Sequence, residues 1–143
     1  MNVLVRVAEV DDAEAIAVLG PQLGYEMTTE GVGSRIGRMG ESRQVFVACA
    51  DGRVLGWTSV HANEHFVEGL IAMVEGFIVD AAVRSLGIGA LLLDAVEAWA
   101  REHGCATVRV QSNVVRDRAH AFYEHHGYSR VKSQHQFVKR FLP

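Results

Sequence analysis

The sequence predicts a single α/β domain, a mixed and mostly antiparallel sheet with helices on both faces. Three observations predict it. The length of 143 residues suits one domain. Short β-branched runs alternate with amphipathic stretches of helical period. An Asp51-Gly52 pair sits between two of the runs, the strongest short-range hairpin signal. No repeat, linker or composition shift divides residues 1–143, which are read as one domain.

The elements follow in order. Val3 to Val10 alternates as a strand entering the fold. Asp11 and Glu14 form a capping pair for a helix running to about Leu19. Gly20 to Ser42 is Gly-rich, with one short helix after Thr29. Val45 to Ala50 and Arg53 to His61 are the strands of the hairpin, and Leu70 to Asp80 is a long apolar strand. Gly87 to His103 is a helix: Leu91, Leu92, Ala95, Val96 and Trp99 keep an apolar stripe and Gly104 closes it. Thr107 to Gln111 is a strand, Asp117 to His126 a helix ended by Gly127, and Tyr128 to Val131 and His135 to Phe141 two last strands. The predicted order is β-α-α-β-β-β-α-β-α-β-β.

Composition narrows the function classes. With 49% apolar and 22% charged residues the chain is neither a disordered tail nor a fibre. A net charge of -3, from 17 acids against 14 bases, excludes a general nucleic-acid binder, which carries a basic surplus. It suits a cationic small molecule. Cys49 and Cys105 show no CxxC spacing and read as free thiols of a reducing compartment. Residues 1–6 lack the pattern of a signal peptide, and no apolar run nears the roughly 20 residues that span a bilayer. A cytoplasmic protein without membrane or nucleic-acid partners is the expectation.

Three segments carry chemistry. Arg84-Ser85-Leu86-Gly87-Ile88-Gly89-Ala90 lies between a strand and the long helix. Glycines two apart allow a sharp turn and close approach to a ligand, and the helix start offers N–H groups to a phosphate. Arg84 adds a charge-assisted contact. A plain tight turn is the other reading of the same residues. Leu92 stands where a dinucleotide fingerprint needs its third glycine, and no Gly-Lys-Ser/Thr follows to make a P-loop.

In the strand before it, period two puts Ile71, Met73, Glu75, Phe77 and Val79 on one face and Ala72, Val74, Gly76 and Ile78 on the other. Glu75 is the carboxylate of this apolar strand. It is either a general base whose pKa burial has raised, or one half of a cross-strand ion pair, or solvent-facing. Gly76 beside it leaves room for a ligand against the backbone. In the third segment, Arg116 to Tyr128, Ala119 and Tyr123 share a helix face. Tyr123 is either a proton donor in a cleft or a packing residue.

Together, Val79 to Gly89 and Ala119 to Tyr128 resemble the GNAT family of N-acetyltransferases. The first resembles its Arg/Gln-x-x-Gly-x-Gly/Ala motif and the second its Ala-x-x-Phe-Tyr-Glu-x-x-Gly-Phe/Tyr motif, in the right order about 35 residues apart. The resemblance covers nearly the whole chain. It implies acetyl-CoA as acetyl donor, with the backbone of Phe77, Ile78 and Val79 on pantetheine. It implies that N–H groups from Ser85 to Ala90 cradle the pyrophosphate, with Arg84 and Ala119 also contacting CoA. Tyr123 matches the tyrosine that protonates the departing thiolate, and Glu75 the position where members carry a general base. One departure stands out: the family often has Asn seven residues before that Tyr, where this chain has Arg116, with Asn113 three residues earlier. Both are candidates for contacting CoA.

The implied reaction is direct attack of a primary amine on the thioester in a ternary complex. Backbone N–H groups of the splayed strand stabilise the oxyanion, worth about 3–4 kcal/mol per donor. A small-molecule acceptor is preferred, with Tyr25, Glu26 and His61 as candidate contacts and the stretches Gly20–Ser42, His61–Gly69 and Lys132–Gln134 as walls. A protein N-terminal or lysine acetyltransferase, or a non-catalytic acyl-CoA sensor on the same fold, are the alternatives. The seven histidines show no ligand spacing, so no metal is expected. Dimerisation through the C-terminal strands is compatible with the sequence.

Overall fold

Asp51 and Gly52 both take positive φ, 52° and 74°, which is what a two-residue turn matched to strand twist requires. That turn starts the sheet. The structure, a computed structural model, describes residues 2–84, 86–112 and 116–143. It divides into two compact units, Met1–Gln111 and Ser112–Pro143.

The first unit holds β1 (Leu4–Val7), α1 (Ala13–Leu23), α2 (Thr29–Gly37), β2 (Arg43–Ala50), β3 (Arg53–His65), β4 (Gly69–Val79), α3 (Ile88–Glu102) and β5 (Thr107–Val110). The sheet runs β1-β2-β3-β4-β5; the first four strands are antiparallel neighbours and β5 lies parallel to β4. Ile16, Leu19 and Val32 of α1 and α2 pack with Val47, Trp57 and Ile78 on one face. Leu92, Val96 and Trp99 of α3 pack on the other face, against Ala48, Leu55, Val60, Ala72 and Val74. The predicted fold class is thus the one observed.

Several boundaries differ for local reasons. The capping contact at the first helix is not Asp11–Glu14: the Glu9 N–H donates to Asp12 Oδ2 at 2.7 Å, closing a 3-10 turn ahead of α1. Asp12 also accepts a two-pronged contact from Arg6 at 2.8 and 2.9 Å, and that hydrogen bond holds its carboxyl below the usual range. The α1 helix continues through Gly20 and Pro21 to Leu23. Thr28 accepts from the Gly31 N–H at 3.0 Å and starts α2 where expected. β3 runs on to His65, paired to β4 through Asn63–Ile71 and Glu64–Leu70. His61 therefore sits within a strand, and most of the predicted His61–Gly69 wall is hairpin.

In the second unit, α4 (Asp117–His125) forms as predicted. The two last strands do not: Tyr128 to Pro143 carries no strand. A period-two pattern makes a strand only when it finds a backbone to pair with, and the described sheet ends at β5.

Candidate active site

The site begins where β4 and β5 part. They pair from Ile71–Thr107 to Val74–Val110 and no further. Antiparallel pairing with β3 continues beyond that point to Gly56–Val79, and the Asp80 N–H donates to Leu55 O at 2.8 Å. The alternation of such a ladder then turns the N–H and C=O groups of Ile78 toward β3 and those of Phe77 and Val79 toward the open side. Phe77 and Val79 thus present their backbone groups on the side where β4 and β5 have parted. Ile78, predicted with them, spends its backbone within the sheet and its side chain in the core.

A bulge marks the parting. Ser59 faces Gly76 and Val60 faces Val74, leaving Glu75 as the extra residue. The bulge inverts the side-chain phase of β4. Ala72 and Val74 face α3 before it, as do Phe77 and Val79 after it, while Ile78 joins the α1/α2 side. The strict alternation read from sequence fails here for that reason.

Glu75 itself is exposed and paired rather than buried and alone. Its Oε1 accepts from Arg43 Nε at 2.8 Å and from Ser59 Oγ at 3.2 Å, and its Oε2 from Arg43 Nη2 at 2.9 Å. Partial burial pushes the carboxyl up, but the Arg43 contact and charge, with Ser59 and His61, outweigh it and hold Glu75 below the usual range. The expectation of a raised pKa is corrected; the ion-pair reading was the right one. Gly76 is corrected too. A Cβ there would lie 2.6 Å from Trp57 Cζ3, so the indole fills the space that a ligand was expected to use.

The phosphate seat is built from the turn into α3. Gly87 takes φ 79° at the helix N-cap, and no side chain caps it among the described residues, which leaves the first turn open to an anion. Ile88 is 1% exposed and anchors the turn in the core, while Arg84 and Leu86 are exposed. Gly89 and Ala90 belong to the first helical turn. Ser85 lies outside the described residues.

Two residues that sequence reading missed fix this loop. Gln22 of α1 accepts from the Ala81 N–H at 2.8 Å and donates to Asp80 Oδ1 at 3.3 Å. Asp80 accepts from the Ala82 N–H at 3.1 Å. No local pattern announces Gln22, which lies 59 residues from Ala81.

Arg43, Ser59, His61 and Glu75 come together on neighbouring strands. Tyr25 and Glu26 are exposed in the α1–α2 connection, and the structure shows no contact of theirs with that group. A shallow hollow of about 750 Å³, lined by Phe46, Trp99 and His103 among others, includes Met39, Gly40 and Glu41 of the predicted Gly20–Ser42 wall, and Arg43, but none of the predicted catalytic or CoA-binding residues. Among the described residues no group of three potential metal ligands occurs.

In the second unit, Tyr123 is half-buried on α4 between Phe122 and Tyr128, with ring centroids at 5.4 and 6.0 Å. Burial pushes its phenol up to about 12, with Arg116 pulling the other way. Arg116 stands at the N-cap of α4 and Ala119 in its first turn. Asn113 lies outside the described residues. Ser112, directly after β5, was missed by sequence reading: its Oγ is buried with no partner among the described residues.

The parting of β4 from β5 and the helix start without a side-chain cap thus lie at the C-terminal end of β4, among the described residues. A family profile described as "Acetyltransferase (GNAT) family" matches residues 14–128, so the chain belongs to that family. An aminoglycoside N(6')-acetyltransferase type 1 of Stenotrophomonas maltophilia is 33% identical over 93 residues, which span 62% of this chain and 61% of that relative. A second, from Klebsiella aerogenes, is 26% identical over 95% of each chain. The solved AAC(6')-Iy in complex with the bisubstrate analog CoA-S-monomethyl-acetylneamine shares the fold. Its TM-score is 0.85 at 20% identity, over 98% of this chain and 99% of that one. No helix among the described residues is long and apolar enough to cross a membrane.

Proposed function

We propose that this protein, acting as one domain over residues 1–143, acetylates a primary amine of a small cationic acceptor of the aminoglycoside type. The observation that carries the reading is the Glu75 carboxylate, the extra residue of the bulge, at the point where β4 opens. An anion at that place attracts an ammonium and orients it toward the open edge. The two relatives named aminoglycoside N(6')-acetyltransferases support the acceptor class.

Acetyl-CoA supplies the activated thioester. Phe77 and Val79 hold its amide chain, and the N–H groups at the start of α3, with Arg84, hold its phosphates. Glu75 carries the acceptor amine's proton, directly or through one water; His61 stands in the same cluster as a polar neighbour. Tyr123 donates to the departing sulfur.

Thermal unfolding tests the donor site. Acetyl-CoA at about 100 times its Kd adds roughly 2.7 kcal/mol, a rise of roughly 5–15 °C, and NADH or ATP gives none. Thiol release then tests the acceptor. A 6'-amino aminoglycoside is expected to exceed a polyamine and a peptide N-terminus at least about ten-fold in kcat/KM, a difference of about 1.4 kcal/mol. Preference for the peptide overturns the acceptor class.

The same reading takes two copies as the working assembly, joined through the C-terminal segments. Val131, Phe137 and Phe141 are 83%, 92% and 85% exposed there, an apolar row without cover. Sedimentation is expected to give twice the mass of the chain, and Phe137→Asp the mass of one. A wild-type chain that sediments singly refutes the pairing.

A further inference from the structure

Arg43 lies outside both sequence motifs and two strands from Glu75, yet it makes the most specific side-chain contact of the acceptor side. From the first position of β2, opposite His61, its guanidinium reaches past β3 to Glu75 on β4. Nε and Nη2 donate to the two carboxylate oxygens at 2.8 and 2.9 Å, parallel bonds that a lysine cannot reproduce. The Ser59 hydroxyl takes a second site on Oε1 at 3.2 Å. A carboxylate offers about four lone-pair sites. Three are engaged among the described residues, which leaves one there, on Oε2.

We propose that Arg43 is a positioning residue for the acetyl-transfer step, fixing the Glu75 carboxylate so that its one open lone pair, on Oε2, meets the acceptor amine or its bridging water. The inference rests on the reading of Glu75 as the acceptor-side carboxylate. Stability does not explain the pair. Both side chains are about two-fifths exposed, at 43% and 39%, and exposed pairs contribute only about 0.2–1 kcal/mol. Orientation does explain it, since a free glutamate on an open sheet face samples several rotamers and a misplacement of about 1 Å can cost up to about 100-fold in rate.

The pair also sets the charge state. The charged or titratable groups that face Glu75 are Arg43 from β2 and His61 from β3; from α1, apolar Leu23 lies beside neighbouring Gly76. Removing the guanidinium removes the chief force lowering the Glu75 pKa and leaves the burial that raises it. Activity that needs the ionised carboxylate falls as pH drops through that pKa, so the acid limb must move to higher pH.

The experiment compares Arg43→Gln, Arg43→Lys and Glu75→Gln with wild type, reading kcat and KM for a primary amine from about pH 3 to 9. The carboxyl titration of Glu75 is followed in parallel by NMR. Arg43→Gln is expected to lose roughly ten-fold in kcat and to move the acid limb and the NMR titration up by about one pH unit. Arg43→Lys is expected to fall between, keeping the charge without the fork. KM for acetyl-CoA and Tm stay at wild-type values in both. An unimpaired Arg43→Gln beside an impaired Glu75→Gln overturns the role of Arg43 alone. Wild-type turnover in Glu75→Gln overturns the reading of Glu75 and the role of Arg43 with it.

Discussion

Replacing Tyr123 by phenylalanine is expected to lower kcat roughly 10- to 150-fold, the equivalent of a hydrogen bond to a charged group at about 1.5–3 kcal/mol, while the Kd for acetyl-CoA stays unchanged. The pKa decides between two roles for this side chain. Burial pushes the phenol up to about 12, whereas an ordinary thiol titrates near about 8.5. Passing the proton completely to a departing thiolate is then uphill by roughly 3–4 units, about 5 kcal/mol. On the proposed reading, Tyr123 acts by donating a hydrogen bond as negative charge builds on sulfur, and sulfur takes its proton from water afterwards. The pH dependence carries the sign. Because the phenol stays protonated until about pH 11, it imposes no basic limb in the working range, and kcat/KM rises with pH as the acceptor amine loses its proton. A basic limb near pH 8–9 in wild type, absent from Tyr123→Phe, contradicts the raised pKa and restores complete proton transfer.

What could be read from the sequence was what neighbouring residues decide among themselves. The Asp51-Gly52 turn and the apolar stripe of α3 are written within a few residues, and both are found. The tight turn into α3 was legible for the same reason, since its glycines and the helix behind them are contiguous.

The acceptor side was not legible, because its determinants are pairings between strands. Nothing within residues 70–80 shows that Glu75 is an extra residue in a bulge; that depends on how Ser59 and Val60 line up opposite. Its partner Arg43 lies 32 residues away. Gly76 admitted two fillers, a ligand or a neighbouring ring, and only the position of Trp57 chooses. The length of β3 was missed because Asn63 and Glu64 carry no apolar alternation, yet their backbone pairs with β4. The last two strands failed in the opposite direction, with a pattern present and no paired backbone.

That dependence on pairing makes Gly56 the most sensitive position for the fold. Gly56→Ala is expected to destabilise the protein by about 2–3 kcal/mol, a fall in Tm of roughly 8–12 °C. An added Cβ would lie 2.6 Å from the carbonyl oxygen of Ile78 and 3.2 Å from the Cα of Val79. Both are backbone atoms, so no rotamer change relieves the clash; β4 itself has to move. Gly56 pairs with Val79 just beside a second irregularity, where Ala48 faces Gly56 and Cys49 faces Val54, leaving Leu55 unmatched. Strain introduced there has a bent strand on one side and the open edge of β4 on the other. The displaced segment, Ile78 and Val79, runs into the acetyl-CoA edge, so donor binding is expected to weaken together with stability. Gly37→Ala is the control, with nothing within 4 Å of its added Cβ at the end of α2; it is expected to be neutral or to add up to about 1 kcal/mol. If Gly56→Ala keeps wild-type Tm and acetyl-CoA affinity, the close approach of β3 to β4 at this point is wrong, and the alternation that turns Phe77 and Val79 toward the ligand falls with it.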